Sequence, residues 1–503
     1  MAKISSTKSG NKSTDPVLDK KKSVVEFRFD KSNLLPIAFS VFIAILLFGL
    51  QIKNYPHPEM FSDSGSYLTS AVRKILGYRP IGYSWVISFY HSISSNLHFL
   101  PVGQFLIHLA ASIFLTQTIL HFMPFSNRIV KILFHLMVIA SPCAIQITNA
   151  VMSDSSFLSL TYIWFGSLLW IAFSVNLRTQ LFFLALHGIV LYIVYMVRFI
   201  AMIYPLLSCI LFFMTLSKWR SIGLTVGLFL VILIAIQKNN SLLKNTFGPN
   251  YPKSSFAGWL LGNNASAILG HTRLAITNGV DKDVRFVNEV MMQYPDSVFS
   301  TGASIQTEFI WSNALAGKEV VRSVMQRDNI SYFHAWYKSG SMVGKWARWI
   351  IFQKPLDYIR YFLWPAGQLV FKIYPIYEPP LFKLDDDVQK WYSYPIKSYN
   401  HTSNYNTNIL TPIVKILGWI QWIAFGISLF LFVKYKHYKL KVIGDRIGMF
   451  CFIFILIYFG FHVLASPLNN YRYHIPTFTP MWIIILYMSD VYLKKFYYKD
   501  AVV

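Results

Sequence analysis

Apolar runs long enough to cross a lipid bilayer recur along this chain, and they constrain its fold more than any other feature. A spanning helix needs about 20 apolar residues. Charged residues make up only 14% of the chain, against roughly 25% in soluble domains. The runs predict an all-α polytopic membrane protein with about ten transmembrane helices, at residues 34–52, 99–121, 129–146, 156–175, 181–197, 199–216, 222–237, 409–433, 447–465 and 474–493.

The basic residues between these spans predict the orientation of the chain. If the Lys-rich N-terminus is cytoplasmic, every cytoplasmic connection is basic, as the positive-inside rule expects. Those connections carry Arg128, Lys131, Arg178, Lys218, Arg220, Lys434, Lys436, Lys439, Lys441, Arg446, Lys494, Lys495 and Lys499. We therefore expect a multi-pass protein with both termini in the cytoplasm. The Lys/Asn/Ile/Phe-rich usage and the three dispersed cysteines favour a bacterial inner (plasma) membrane.

The formal net charge of +24 would suggest a nucleic-acid partner if the protein were soluble. Here the excess cations cluster beside the spans. Membrane lipids with anionic headgroups are therefore the expected partner, and nucleic acid is not.

The spans and loops divide the chain into four regions. Residues 1–33 are a polar cytoplasmic tail that we expect to be disordered. Residues 34–237 form a membrane domain of about seven spans, 238–408 a mixed extracytoplasmic segment, and 409–503 a membrane domain of about three spans with a short cytoplasmic tail. In the outer loop 53–98, SYLTSAVRKIL and GYSWVISFYHSI have the apolar spacing of two interfacial helices. Residues 345–359 and 365–373 favour interfacial helices too.

Carboxylates are scarce in the first half of the chain. Between Asp30 and Asp281 there are only Glu59, Asp63 and Asp154. An acid is costly to keep near hydrocarbon, so those that remain are candidate functional groups. Glu59, in the PHPEM stretch, is expected to be a solvated residue.

The expected topology brings Asp63, Asp154, Arg198 and Arg472 to the extracytoplasmic face from four separate connections. Each also has a structural alternative. Ser-Asp-Ser precedes a helical pattern at both aspartates, which is typical of helix capping. The arginines can instead be interfacial anchors that extend along the membrane rim.

The order of these pieces resembles the GT-C superfamily of membrane glycosyltransferases, especially its protein-mannosyltransferase-like and aminoarabinose-transferase-like branch. The similar stretches are FSDSGSY (61–67), Arg79-Pro80-Ile81-Gly82-Tyr83, SPCAIQITNAVMSDSSF (141–157), YMVRFIAMIYPL (195–206) and NNYRYHIPTFTP (469–480). The resemblance covers residues 34–237 and 408–493 in order. The resemblance implies a polyprenyl-phosphate-linked sugar donor and a lipid, glycan or protein acceptor.

The resemblance also implies roles for the site residues. Asp63 would act as general base on the acceptor hydroxyl, in an attack that inverts the anomeric carbon. Arg198 and Arg472 would bind the donor phosphate, since guanidinium matches phosphate oxygens in a two-pronged geometry. Tyr473 and His474 adjoin Arg472. Arg79 would meet the donor phosphate or only lipid headgroups, and Asp154 would orient the acceptor or hold a divalent cation.

Two other functions stay open: a transporter or flippase for a lipid-linked or anionic solute, and a catalytically silent assembly subunit. A transporter is expected to carry charged or broken positions at mid-membrane, whereas this chain places its charges at the rim. No metal-ligand pattern has diagnostic spacing, so no cofactor beyond that divalent cation is expected. The acidic run at 385–387 is expected to be a solvated turn.

Overall fold

The computed structural model describes residues 31–54, 58–61, 63–76, 79–248, 256–276, 279–299, 315–371, 386–392, 410–465 and 471–499. Within these ranges the regular secondary structure is helical, and the one extended pairing is a bridge between Glu59 and Ala150. This confirms the all-α class.

The helices of the first part are α1 Leu34–Asn54, α2 Ser64–Arg73, α3 Gly82–Ile93, α4 Phe99–Phe122, α5 Arg128–Ile139, α6 Pro142–Thr148, α7 Ser153–Phe173, α8 Leu177–Val197, α9 Tyr204–Thr215 and α10 Lys218–Phe247. Those of the second part are α11 Phe256–Leu269, α12 Lys282–Met292, α13 Leu315–Asp328, α14 Tyr332–Gln353, α15 Pro355–Tyr358, α16 Trp364–Leu369, α17 Asp386–Trp391, α18 Leu410–Lys434, α19 Ile443–Ala465 and α20 Ile475–Lys499. A π-helical turn, Ile359–Leu363, joins α15 to α16.

Eight helices in the described part are long and apolar enough to cross a membrane, consistent with a polytopic membrane protein. They correspond to eight of the predicted spans. The run at 199–216 instead forms a 3₁₀ turn and the shorter helix α9, and the run at 474–493 forms α20, which is less apolar. Pro142 begins a new helix, α6, inside the run at 129–146, since proline cannot continue the preceding helical hydrogen bonds.

Helix α7 lies at the centre of the bundle, between α4 and α8. Its large side chains Trp164 and Trp170 are fully buried, as expected for a helix that is apolar all round. Elsewhere in the bundle, α20 packs against α5, α18 and α19. The central position of α7 holds its N-terminus, which carries Asp154, among the neighbouring helix ends.

The two short helices expected in the loop 53–98 are present as α2 and α3, which pack on each other. Helix α17 lies against α2. The His91 ring of α3 stacks on Trp391 of α17 at 3.7 Å between ring centres.

The described residues between 256 and 371 form a second helical group, here called the 256–371 unit, in which α11, α12 and α13 pack around α14. At the α11–α14 crossing, a Cβ placed on Gly258 would lie 1.8 Å from the Gly340 carbonyl oxygen. Only glycine allows the backbones to come so close. The interfacial helix predicted at 345–359 does not form as a separate helix. Its first part belongs to α14, which begins at Tyr332 and has most of the residues on one of its faces buried.

Candidate functional site

The residues that the sequence predicts for the site lie on connections far apart in the chain, at or next to helix ends that meet at one end of the bundle. Asp63 precedes α2, Arg79 lies between α2 and α3, and Asp154 is in the first turn of α7. Arg198 directly follows α8, and a 3₁₀ turn, Tyr471–His474, precedes α20. We call Asp63, Arg79, Asp154, Arg198, Arg472 and Tyr473 the site cluster.

Backbone pairing fixes the segment before α2 beside the loop that leads into α7. The Glu59 N–H donates to the Asn149 carbonyl, and the Val151 N–H donates to the Glu59 carbonyl, both at 2.9 Å. These bonds hold Asp63 near Asp154, although the two residues are far apart in the chain.

A buried glutamine of α4 supports the same loop. Gln104 Nε2 donates to the carbonyl oxygens of Thr148 and Ala150 at 2.9 and 3.1 Å. Its Oε1 accepts a hydrogen bond from the Tyr83 hydroxyl of α3. Because buried backbone groups need such partners, Gln104 keeps the loop in one conformation.

The Asp63 carboxylate forms ion pairs with two arginines. Arg79 Nη2 contacts Oδ1, and Arg472 Nη2 lies 3.4 Å from Oδ2. Asp63 occupies the N-cap position of α2, but its side chain makes no capping hydrogen bond. The capping alternative is therefore wrong for this carboxylate.

Asp154 is directed to an arginine as well. It is a residue of the first turn of α7, whose N-cap is Met152, so it is not the cap. Its Oδ1 accepts a hydrogen bond from Arg198 Nη1 at 2.7 Å, and only 3% of its side chain is exposed. A negative charge near a helix N-terminus is also stabilised by the helix dipole.

Tyr473 links the Asp63–Arg472 pair to the Asp154–Arg198 pair. The guanidinium carbons of Arg198 and Arg472 lie 4.8 and 4.9 Å from the centre of its ring, within the range of cation–π attraction. Arg472 Nη2 also donates to the Tyr473 hydroxyl at 2.9 Å. Only 4% of the Arg472 side chain is exposed, so the interfacial-anchor alternative is wrong for Arg472.

The carboxylates keep the arginines charged in this half-buried environment. Burial acts to lower the pKa of Arg198, but the neighbouring Asp154 raises it above its ordinary value. Burial and Asp63 oppose each other in the same way at Arg79, and its pKa is also raised. With both carboxylates ionised, three guanidinium groups leave one net positive charge in the site cluster. Such a charge attracts an anion.

Two residues that the sequence did not single out, Tyr67 and His462, contact the site cluster. The Tyr67 ring lies 5.6 Å from the Arg79 guanidinium, and its hydroxyl is 3.0 Å from Ser153 Oγ. Burial raises the pKa of Tyr67, so the phenol is neutral. The His462 ring, on α19, stacks on Tyr473 at 5.7 Å and lies 5.5 Å from His474. In the sequence, only the position of His462 near the end of an apolar run could have indicated that this histidine lies beside the site cluster.

Glu59 lies in the same region, and the expectation that it is solvated is wrong. Its Oε1 accepts a hydrogen bond from Gln51 Nε2 of α1 at 2.8 Å. Burial raises its pKa to about 8, although the Gln51 hydrogen bond acts in the opposite direction. Glu59 lines a small pocket together with Asp154 and Arg472.

Among the described residues no group of three His, Cys, Asp or Glu side chains is placed to hold a metal ion. Of the acidic run 385–387, Asp385 lies outside the described residues. Asp387 is in α17 and pairs with Arg73 through both carboxylate oxygens, at 2.7 and 3.1 Å. The expected solvated turn is therefore a helix docked on α2.

Comparison of the chain with known protein families, with curated proteins and with solved structures finds no significant match. The resemblance to GT-C glycosyltransferases thus stays a prediction from the motifs.

Proposed function

We propose that the protein is an extracytoplasmic glycosyltransferase of GT-C type, which moves a sugar from a polyprenyl-phosphate donor to a lipid, glycan or protein acceptor. The observation that carries the proposal is the site cluster. Three arginines and two carboxylates from four separate connections meet at one end of a bundle of apolar helices. Scattered ion pairs serving only to anchor the chain at a membrane rim would have no reason to converge.

The charge of the site cluster suits a lipid-linked phosphate. A phosphodiester carries one negative charge, which matches the one net positive charge of the cluster. Arg79 and Arg472 are placed to hold phosphate oxygens in the way that they hold Asp63. Arg198 is linked to them through Tyr473. These arginines would stabilise the charge that develops on the departing phosphate.

Asp63 is the general base in this proposal. The donor phosphate takes over Arg79 and Arg472, which releases the carboxylate from its two partners. Asp63 then accepts the proton of the acceptor hydroxyl, whose oxygen attacks the anomeric carbon. The bond from that carbon to the phosphate oxygen breaks, and polyprenyl phosphate leaves with the bonding electrons. Attack opposite to the leaving group inverts the anomeric configuration.

Asp154 and His474 have supporting roles in this scheme. Asp154 keeps Arg198 charged and oriented, through a hydrogen bond of 2.7 Å. His474 is buried next to the Tyr473–His462 stack, where it fixes the turn that carries Arg472.

The test is to incubate the purified protein with labelled polyprenyl-phosphate sugars and a membrane extract that supplies acceptors. The expected result is transfer of label to a product with inverted anomeric configuration, determined by NMR. The matched negative control is heat-denatured protein.

Binding or translocation of the donor across proteoliposomes without any transfer would overturn the proposal. That outcome would favour the transporter. Neither binding nor transfer would favour the assembly subunit.

A further inference from the structure

The pocket beside the site cluster brings together a third acid and the Asp154–Arg198 pair. It is lined by Glu59, Asp154 and Arg472 together with Phe61, Gln146, Ile147, Ala150 and Met152. Its free space is roughly that of one water molecule. Because Glu59 and Asp154 both line this one small space, a hydrogen bond between their carboxyl groups has only a short gap to cross.

The hydrogen-bonding capacity of the two acids is complementary. Asp154 uses Oδ1 to accept from Arg198, while its Oδ2 is buried and has no hydrogen-bond partner among the described residues. Glu59 uses Oε1 to accept from Gln51. A carboxylic acid has one further group to offer, an O–H donor, and a buried carboxylate oxygen needs a donor.

We propose that Glu59 is a positioning residue that works as a neutral carboxylic acid, donating a hydrogen bond across this pocket to Asp154 Oδ2. It thereby fixes the carboxylate that orients Arg198. Its effect on donor binding rests on the glycosyltransferase function proposed above, whereas its protonation does not.

The surroundings of Glu59 support the neutral form. The charged groups that line the pocket with Glu59 are Asp154 from α7 and Arg472 from the turn before α20. Helix α6 contributes the uncharged Gln146, and the uncharged Gln51 of α1 donates to Glu59. Burial raises the pKa of Glu59 from about 4.5 to about 8. At neutral pH the acid therefore keeps its proton.

Ionisation of Glu59 lowers the stability of the folded protein and weakens the attraction of the site cluster for an anion. Because its pKa in the folded protein lies above its ordinary value, its stabilising contribution is complete below about 4.5 and is lost as the pH rises to about 8. Above that value a second negative charge stands next to Asp154. This charge opposes the attraction of an anionic donor to the site cluster.

The first experiment reads protonation without any need for activity. Infrared difference spectra of the full-length protein in lipid nanodiscs are recorded across a pH titration, for wild type and Glu59→Gln. A protonated-carboxyl band that is present at neutral pH, fades near pH 8 and is missing from the variant supports the proposal. If the two spectra coincide, or if the band fades well below neutral pH, the proposal is overturned.

The second experiment measures the pH profile of binding to a polyprenyl-phosphate sugar. Glutamine retains the shape and an N–H donor but cannot ionise, so Glu59→Gln should bind as wild type does at neutral pH. It should keep that affinity above pH 8, where wild type weakens several-fold. Glu59→Leu, which lacks a donor, should bind more weakly at every pH.

A glutamine variant as weak as the leucine variant, or one with the pH profile of wild type, would contradict the positioning role. If the infrared band behaves as expected but no variant binds the donor, the glycosyltransferase proposal fails and the neutral Glu59 stands.

Discussion

The site cluster and the 256–371 unit use charged residues in opposite ways. The ion pairs of the site cluster join distant positions: Asp63 and Arg472 are 409 residues apart. Their side chains are mostly buried, with 3% of Asp154 and 4% of Arg472 exposed. In the 256–371 unit the paired side chains are more exposed, at 20% to 60%, and several pairs are local, such as Glu319 with Arg322, one helical turn away.

The two sets of ion pairs are expected to contribute differently to stability. Exposed ion pairs contribute typically 0–1 kcal/mol to stability. Buried pairs often stabilise a fold no better than apolar residues of the same volume would, because each ion loses its hydration. Stability alone therefore gives no reason for buried ion pairs, rather than apolar residues, in the site cluster. Charged groups held half-buried against that cost are typical of functional sites.

The two regions also differ in how their helices are held. The 256–371 unit depends on close backbone packing, with Gly258 against Gly340 at the α11–α14 crossing. At the site, side-chain hydrogen bonds and ion pairs hold loops that precede or follow helices. Substitutions should therefore destabilise the two regions through different mechanisms, which the following variants separate.

The largest loss of stability is expected for Asp154→Ala. Removing this carboxylate leaves Arg198 half-buried without its ion-pair partner, which should lower the free energy of unfolding by about 3 kcal/mol. Glu319→Ala, which removes a partly exposed acid in the 256–371 unit, should change it by about 0.5 kcal/mol or less. Denaturation in mixed micelles measures both. Equal losses would mean that the two kinds of ion pair do not differ.

Gly258→Ala tests the packing of the 256–371 unit. The new Cβ would overlap the Gly340 carbonyl oxygen, and relief by helix displacement should cost about 1–3 kcal/mol. Gly367→Ala is the matched control, since nothing lies within 4 Å of its added Cβ. Alanine there should be neutral or stabilising, by up to about 1 kcal/mol. A Gly258→Ala variant as stable as the control would refute the close crossing.

The smallest expected effect is on the pH dependence of stability. Hydrogen bonds from Arg327 and Lys338 lower the pKa of the partly exposed Asp328 to about 2. Its stabilising contribution is therefore present above its ordinary pKa and is lost as the pH falls towards 2, opposite in sign to that of Glu59. Thermal unfolding of Asp328→Asn should show a slightly flatter acid limb than wild type. A variant with an unchanged acid limb would argue against the pairing.

The helical class and most helix positions could be predicted because a spanning segment must be long, apolar and uninterrupted. The scarcity of acids likewise pointed to Asp63 and Asp154. The partners of these acids could not be predicted, since nothing local connects Asp63 with Arg472. Their pairing arises only when α2 and the turn before α20 meet.

Glu59 illustrates the same limit. Its neighbours in PHPEM are typical of a solvated turn, but the bridge to Ala150 draws it into the bundle. The glycine crossing at Gly258 is equally a product of tertiary packing, because isolated glycines in a helical pattern do not identify their partners.

The central claim is that Asp63 is the general base of a sugar transfer, and single-turnover transfer by Asp63→Asn tests it most directly. Asparagine keeps the shape but accepts no proton, so the rate should fall by about 10²–10⁴. Donor binding should not weaken, because the arginines lose a competing carboxylate. Asp328→Asn, which alters a partly exposed acid of the 256–371 unit, serves as the control with an unchanged rate. Transfer by Asp63→Asn at the wild-type rate would contradict the account.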